Sequence, residues 1–228
     1  MSDVKGYKVL ISGNASTGKS TILSEITDKI LVLNLDEKPY TYKVNGAVAT
    51  LEKYNNQKNL IDWINQKVIA YKNKFGELPE VIAFDTVTRL YSSIEYANRM
   101  NYKGFETHMQ NKDATYLINW FINQLLNKGI NVIALAHSQV EEGTGRIFIP
   151  AQGAFKNSGG WLSLFDNAIY LTSIKKEKYV VVNSPTQQYP ARQAGSKEEL
   201  MVPQKEFDIN KYLENLKNIQ VNMSQQEI

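Results

Sequence analysis

Five short stretches of the chain are almost continuously apolar and rich in β-branched residues: KVLIS (Lys8 to Ser12), ILVLNL (Ile30 to Leu35), EVIAFD (Glu80 to Asp85), NVIALAH (Asn131 to His137) and NAIYLT (Asn167 to Thr172). Runs without polar alternation suit strands buried on both faces of a parallel sheet. Between most of them the apolar positions recur at three and four residues. From Asn59 to Phe75, for example, Leu60, Ile61, Ile64, Val68 and Tyr71 mark one helix face, and Gly76 follows as a stop. This alternation predicts an α/β fold, three layers with a mostly parallel central sheet flanked by helices. KYVVVN (Lys178 to Asn183) reads as a further strand paired antiparallel at the edge, and Phe207 to Leu216 as a closing amphipathic helix.

The stretch Ser138 to Gly160 breaks the pattern. It carries five glycines and a proline, which predicts a mobile loop rather than a core element. No internal repeat or long low-complexity linker is present. The expected organisation is therefore one domain over 1–206, followed by a C-terminal helix and a polar, frayed tail over 207–228.

Composition narrows the chemistry. The 228 residues are 43% hydrophobic and 21% charged, enough for one large core. There is no cysteine, which removes disulfide scaffolds, thiolate zinc sites and cysteine nucleophiles. The start MSDVKGYKVL lacks an apolar signal region, and no run of about 18 apolar residues occurs, so a cytoplasmic protein without a membrane partner is expected. The net charge of +3 permits a nucleic-acid partner without requiring one.

The first strand runs into GNASTGKS, which fits G-x-x-x-x-G-K-S/T with Gly13, Gly18, Lys19 and Ser20 at the fixed positions. Glycines allow the backbone of Asn14, Ala15, Ser16 and Thr17 to curl so that successive N–H groups face phosphate oxygens. Lys19 would reach the β- and γ-phosphates of a nucleotide, the Ser20 hydroxyl would hold Mg²⁺, and Thr21 would border the α-phosphate. A strand before the motif and a helical pattern after it supply the context that separates a true phosphate loop from a chance match. Asp85, at the end of EVIAFD, is placed to hold the magnesium shell as a Walker B aspartate does; otherwise it is an ordinary strand-ending cap. Thr86 follows it, so the acid that readies water must come from elsewhere. Asp36 or Glu37, after ILVLNL, is the candidate, against the plainer reading of an exposed acidic turn before Pro39. The tip of NVIALAHSQ carries His137, Ser138 and Gln139; a polar group there can contact a γ-phosphate, and His137 and Gln139 are the candidate sensors.

Taken together, GNASTGKS, LNLDEKP, VIAFDT, HSQ and GGWLSLFDNAIYLTSIKK resemble the RecA-like P-loop ATPase core. More narrowly they are similar to phage nucleotide-binding proteins of the Sak type, AAA domain-containing ATPases linked to single-strand annealing. The likeness runs roughly from Tyr7 to Arg192. It implies ATP and Mg²⁺ as cofactors, DNA-stimulated ATP hydrolysis and single-stranded DNA as partner. It also implies a homo-oligomeric ring or filament and an associated single-strand DNA-binding protein. By the same likeness Arg146, Phe148, Phe155 and Lys156 are DNA candidates, with Trp161 as a further stacking residue, and Lys175, Lys176 or Arg192 would act in trans on a neighbour's ATP. For each of these the competing reading is a solvated surface charge or a packed ring. Tyr40 or Tyr42 would flank adenine or simply pack in its loop. The chain lacks a large N-terminal oligomerisation module, and Glu141 and Glu142 oppose Arg146 and Lys156. Two other readings compete: a P-loop phosphotransferase acting on a nucleoside or nucleotide, and a nucleotide-controlled assembly factor such as a helicase loader or packaging accessory.

Overall fold

The structure is a computed structural model that describes residues 6–36, 38–51, 57–151, 156, 160–186 and 188–224. Glu37 and Phe155, both singled out in the sequence, lie outside the described residues. An eight-stranded sheet forms the middle layer, built from β1 (Lys8–Gly13), β2 (Ile30–Asn34), β3 (Gly46–Thr50), β4 (Val81–Asp85), β5 (Asn131–His137), β8 (Asn167–Ile174), β9 (Glu177–Asn183) and β10 (Leu200–Pro203). Their spatial order is β10-β9-β8-β1-β5-β4-β2-β3. Six strands, from β8 across to β3, are parallel, and β9 and β10 extend the sheet antiparallel.

The apolar runs become strands for the expected reason. β2 and β4 are buried at every position, and β5 at all but His137. Neither face of such a strand can be left in water, so helices cover both. One face carries α2 (Gln57–Phe75), α3 (Val87–Asn101), α4 (Phe105–Asn127) and the short α5 (Gly160–Ser163), packed on Leu10, Leu33, Phe84, Val132 and Ala134. The other carries α1 (Lys19–Ser24) and α6 (Ile209–Ser224), packed on Val9, Ile11, Val32 and Ile133. The fold is thus the three-layer α/β arrangement the pattern predicts. α2 stops where expected, with the Gly76 N–H donating to the Lys72 carbonyl at 2.8 Å.

α6 closes the α1 side through Ile209, Tyr212, Leu213 and Leu216, all buried. Each is worth about 1.5–3 kcal/mol in burial, against at most about 1 kcal/mol for the part-exposed Lys217–Asp28 ion pair at 2.9 Å, so packing decides where α6 docks.

Three elements escape the sequence reading. β3 is a half-buried edge strand of small residues, GAVAT, whose pattern is too weak to announce it. β9 is antiparallel as expected, but β10 takes the edge. Within 138–160 the chain forms a two-stranded hairpin, β6 (Gln139–Val140) with β7 (Ile147–Phe148), rather than a featureless loop.

Candidate nucleotide site

At one end of the sheet, β1 passes into the loop Gly13–Ser20 and then α1. Gly13 sits between β8 and its own loop: a Cβ there would lie 2.6 Å from Thr17 Oγ1 and 2.7 Å from the Leu171 carbonyl, so no side chain fits. Gly18 turns the chain into α1 at φ 101°, a conformation that glycine adopts without steric cost. Asn14, Ala15 and Ser16 are exposed, while Thr17 is buried and its hydroxyl donates to the Asn14 carbonyl at 2.9 Å.

Lys19 is buried and folds back over this loop, its ammonium donating to the carbonyls of Gly13 (2.8 Å) and Asn14 (2.7 Å). Burial lowers its pKa to about 8, with the carboxylates of Asp85 and Asp36 acting in the opposite sense. The Ser20 hydroxyl donates to Asp85 Oδ2 at 2.8 Å, which joins the start of α1 to the end of β4. Burial pushes the Asp85 carboxyl above its ordinary range, and the nearby Asp36 adds to this. Thr21 is half-buried one residue further along α1.

Three further strands bring polar groups to the same end. Asp36, just past β2, accepts a hydrogen bond from Thr86 Oγ1 at 3.3 Å, and Thr86 also caps α3 by accepting from the Arg89 N–H. The register of β2 on β4 pairs Asn34 with Asp85, so Asp36 and Asp85 follow from neighbouring strand ends. His137 closes β5 as the register partner of Gly13. It is half-buried, and burial together with Lys19 depresses its pKa, favouring the neutral ring. A cavity of about 390 Å³ beside these groups is lined by Asp36, Lys38, Arg89, His137, Gln139 and Trp161 among others.

Ser138, which the sequence places at the strand tip without a role of its own, ties β5 to the phosphate loop twice. Its N–H donates to the Gly13 carbonyl at 3.2 Å and its hydroxyl to Asn14 Oδ1 at 2.8 Å. Tyr40 packs against the α1-side core and Tyr42 meets it edge-on at 6.0 Å, so both rings are engaged within their loop.

The remaining candidates fall into two groups. Lys175 and Lys176 form the exposed turn between β8 and β9. That turn lies beyond the end of β8 that meets Gly13, through the Leu171 register pair. Arg192 is elsewhere. It bridges Ala168 near the start of β8, and its guanidinium donates to the Phe165 carbonyl. There it lines a second cavity, about 430 Å³, together with Arg146, Phe148, Tyr189 and Trp161. Arg146 is exposed and Phe148 is 36% exposed, whereas Trp161 is buried and meets Tyr91 edge-on. Lys156 is exposed and does not line either cavity. Trp161 forms a wall of both cavities.

A phosphate loop opening a helix, with an aspartate bonded to its serine from β4, two strands along the sheet, defines a P-loop ATPase core. The chain belongs to the AAA-domain family, whose model matches residues 5–194. Its fold is similar to that of a KaiC-like protein from the hyperthermophilic archaeon Pyrococcus horikoshii OT3, at TM-score 0.50 and 13% identity over 87% of this chain and 85% of that one. At this identity the likeness speaks for the RecA-like fold alone. No curated protein matches the sequence. Among the described residues no helix is long and apolar enough to cross a membrane.

Proposed function

We propose that this chain is a magnesium-dependent ATPase of the Sak type that acts on single-stranded DNA in recombination, annealing or replication. The observation that carries the reading is the short path from the phosphate loop to the hairpin: β5 ends on the loop through Ser138, the β6–β7 hairpin begins at the next residue, and Trp161 lines a cavity on each side.

In this reading the loop amides and Lys19 hold the β- and γ-phosphates, Lys19 exchanging its two loop carbonyls for phosphate oxygens. Ser20 and Asp85 are oxygen donors already within hydrogen-bond distance of each other, a set that suits a hard divalent cation. No cluster of three or more His, Asp or Glu stands ready for a metal among the described residues, which fits an ion that depends on the nucleotide's own oxygens. Bound there, Mg²⁺ would offset charge developing on the phosphates. Asp36, oriented by Thr86, or Glu37 next to it, takes the proton from the attacking water. A neutral His137 and Gln139 sense the γ-phosphate and pass its loss to the hairpin.

For DNA, Arg146 and Arg192 supply phosphate contacts around a cavity where Phe148 and Tyr189 offer stacking faces. By the sequence likeness Phe155 and Lys156 are further DNA candidates. Lys175 or Lys176 reaches a neighbour's γ-phosphate in a ring or filament, in the cytoplasm and alongside a single-strand DNA-binding protein. ATP turnover measured with no DNA, single-stranded DNA and double-stranded DNA tests the reading. Turnover should rise several-fold with single strands, and equal rates in all three would remove the DNA half.

One observation favours a second reading. The cavity bearing Asp36, Lys38 and Arg89 beside His137 has room for a phosphoryl acceptor, as a phosphotransferase would need. Product analysis separates them, because free phosphate supports the ATPase and a phosphorylated nucleoside or nucleotide supports the transferase. An assembly factor would instead change sedimentation between ATP and ADP with little turnover.

A further inference from the structure

The sheet order fixes which way a nucleotide points. Asp85 and His137 belong to β4 and β5, on one side of β1, whereas β8, β9 and β10 lie on the other. Three phosphates laid along the loop with their terminal group toward Lys19 and Asp85 therefore carry the nucleoside toward β9 and β10. On that side the chain leaves β10 through a 3-10 turn, Gln204–Glu206, whose first side chain comes up against the loop. A Cβ on Gly18 would meet Gln204 Nε2 at 3.0 Å. The other end of the same carboxamide, Oε1, is shielded from solvent and has no hydrogen-bond partner among the described residues. A shielded acceptor without a donor is destabilising, so it marks a place where a ligand group restores what is missing.

Beside it opens a cavity of about 440 Å³, lined by Glu25, Glu177, Lys178, Pro203, Gln204 and Lys205. Two carboxylates stand against two ammonium groups there, and Pro203 adds an apolar surface. Such a balance suits a neutral heterocycle better than further phosphate. We infer that this cavity receives the nucleobase and that Gln204 is the residue that reads it, its carboxamide turning from the loop toward the cavity so that Oε1 accepts from a base amino or imino N–H. Because Gln204 falls beyond the residues 5–194 that match the AAA-domain family, the contact is supplied by this chain's own C-terminal segment. The inference rests on the nucleotide reading of the phosphate loop.

Competition calorimetry with Mg²⁺-ATP and with Mg²⁺-tripolyphosphate, which lacks a nucleoside, tests it on the full chain. Gln204→Ala should weaken ATP about tenfold and leave tripolyphosphate within about twofold of the wild type. Gln204→Met, of matching length, should reproduce the selective loss if the alanine variant is unstable. Equal losses for both ligands would reassign Gln204 to shaping the loop and overturn the inference, as would no loss for either. Lys19→Ala separates the two levels. If the wild type binds both ligands and Lys19→Ala binds neither, the loop reading stands whatever Gln204 does; if the wild type binds neither ligand, both readings fall.

Discussion

The phosphate loop and the cavity beside the β6–β7 hairpin are built differently. Around the phosphate loop, residues from β1, α1, β4 and β5 are bound to one another directly: Lys19 to Gly13 and Asn14, Ser20 to Asp85, Ser138 to Asn14. The second cavity is lined by strand β7 of the hairpin and by residues after β9, and it presents two exposed arginines, Arg146 and Arg192. Chemistry on a triphosphate needs donors fixed before the reaction, because reorganisation during it is costly. Holding a flexible polyanion needs charge and aromatic faces that adapt. The difference teaches what a proposed link between them must use: among the described residues Ser138, bonded to the loop and followed at once by the hairpin, and Trp161, which lines the second cavity, are placed to carry it.

The comparison breaks most decisively at the rigid end. Lys19→Ala should lower ATP turnover about 10²–10³-fold while far-ultraviolet circular dichroism stays native, since the hydrogen bonds of its ammonium run to carbonyls of its own loop. A folded variant that retained wild-type turnover would dismantle the phosphate-loop account.

Asp85→Asn sharpens the same end by opposing two effects. Turnover should fall about 10²-fold. Because burial raises the Asp85 carboxyl above its unfolded value, the folded state favours the proton, and the ionised group costs stability increasingly as pH climbs through that value. At pH 7 the nucleotide-free asparagine variant should therefore melt about 2–4 °C higher in calorimetry. A lower melting temperature would mean that the carboxylate is a net structural asset.

A smaller effect concerns protons. Lys19 titrates near 8, so its ammonium is lost as pH rises through that value and phosphate affinity should decline above it. Phosphate oxygens favour the charged form, so ATP binding at pH 9 should take up protons, seen as a dependence of binding heat on buffer ionisation enthalpy. Heats independent of buffer would place Lys19 away from the phosphates.

The soft end should yield the smallest changes. Arg146→Ala should reduce oligonucleotide affinity a few-fold and lower the slope of log affinity against log salt by about one, as measured by fluorescence anisotropy. An unchanged slope would remove Arg146 from the contact surface.

How much of this was legible follows from the same contrast. The buried strands carried their own signal, since a run such as VIAFD can only be a two-faced interior strand, and its terminal aspartate was placed at once. The phosphate loop was legible because backbone geometry dictates glycine at positions 13 and 18. The Asp36–Thr86 bond was not, because it depends on β2 and β4 being neighbours in register. Arg192 read as a trans-acting cation, yet its guanidinium is bonded to Phe165 at the start of β8, where it faces the same cavity as Arg146. Three chain segments distant in sequence meet at that cavity, and no local pattern announces such a meeting. The bonds of Ser138 to the loop and the approach of Gln204 to Gly18 were hidden for the same reason, each residue being ordinary in its own segment and significant only against the loop it touches.

The central claim is that the two ends are coupled, and coupling is reciprocal. The most direct measurement is the affinity for a labelled single-stranded oligonucleotide in the presence of Mg²⁺ with a non-hydrolysable ATP analogue, with ADP, and with neither. The account predicts binding at least several-fold tighter with the triphosphate analogue than with ADP. Identical affinities under all three conditions would contradict it.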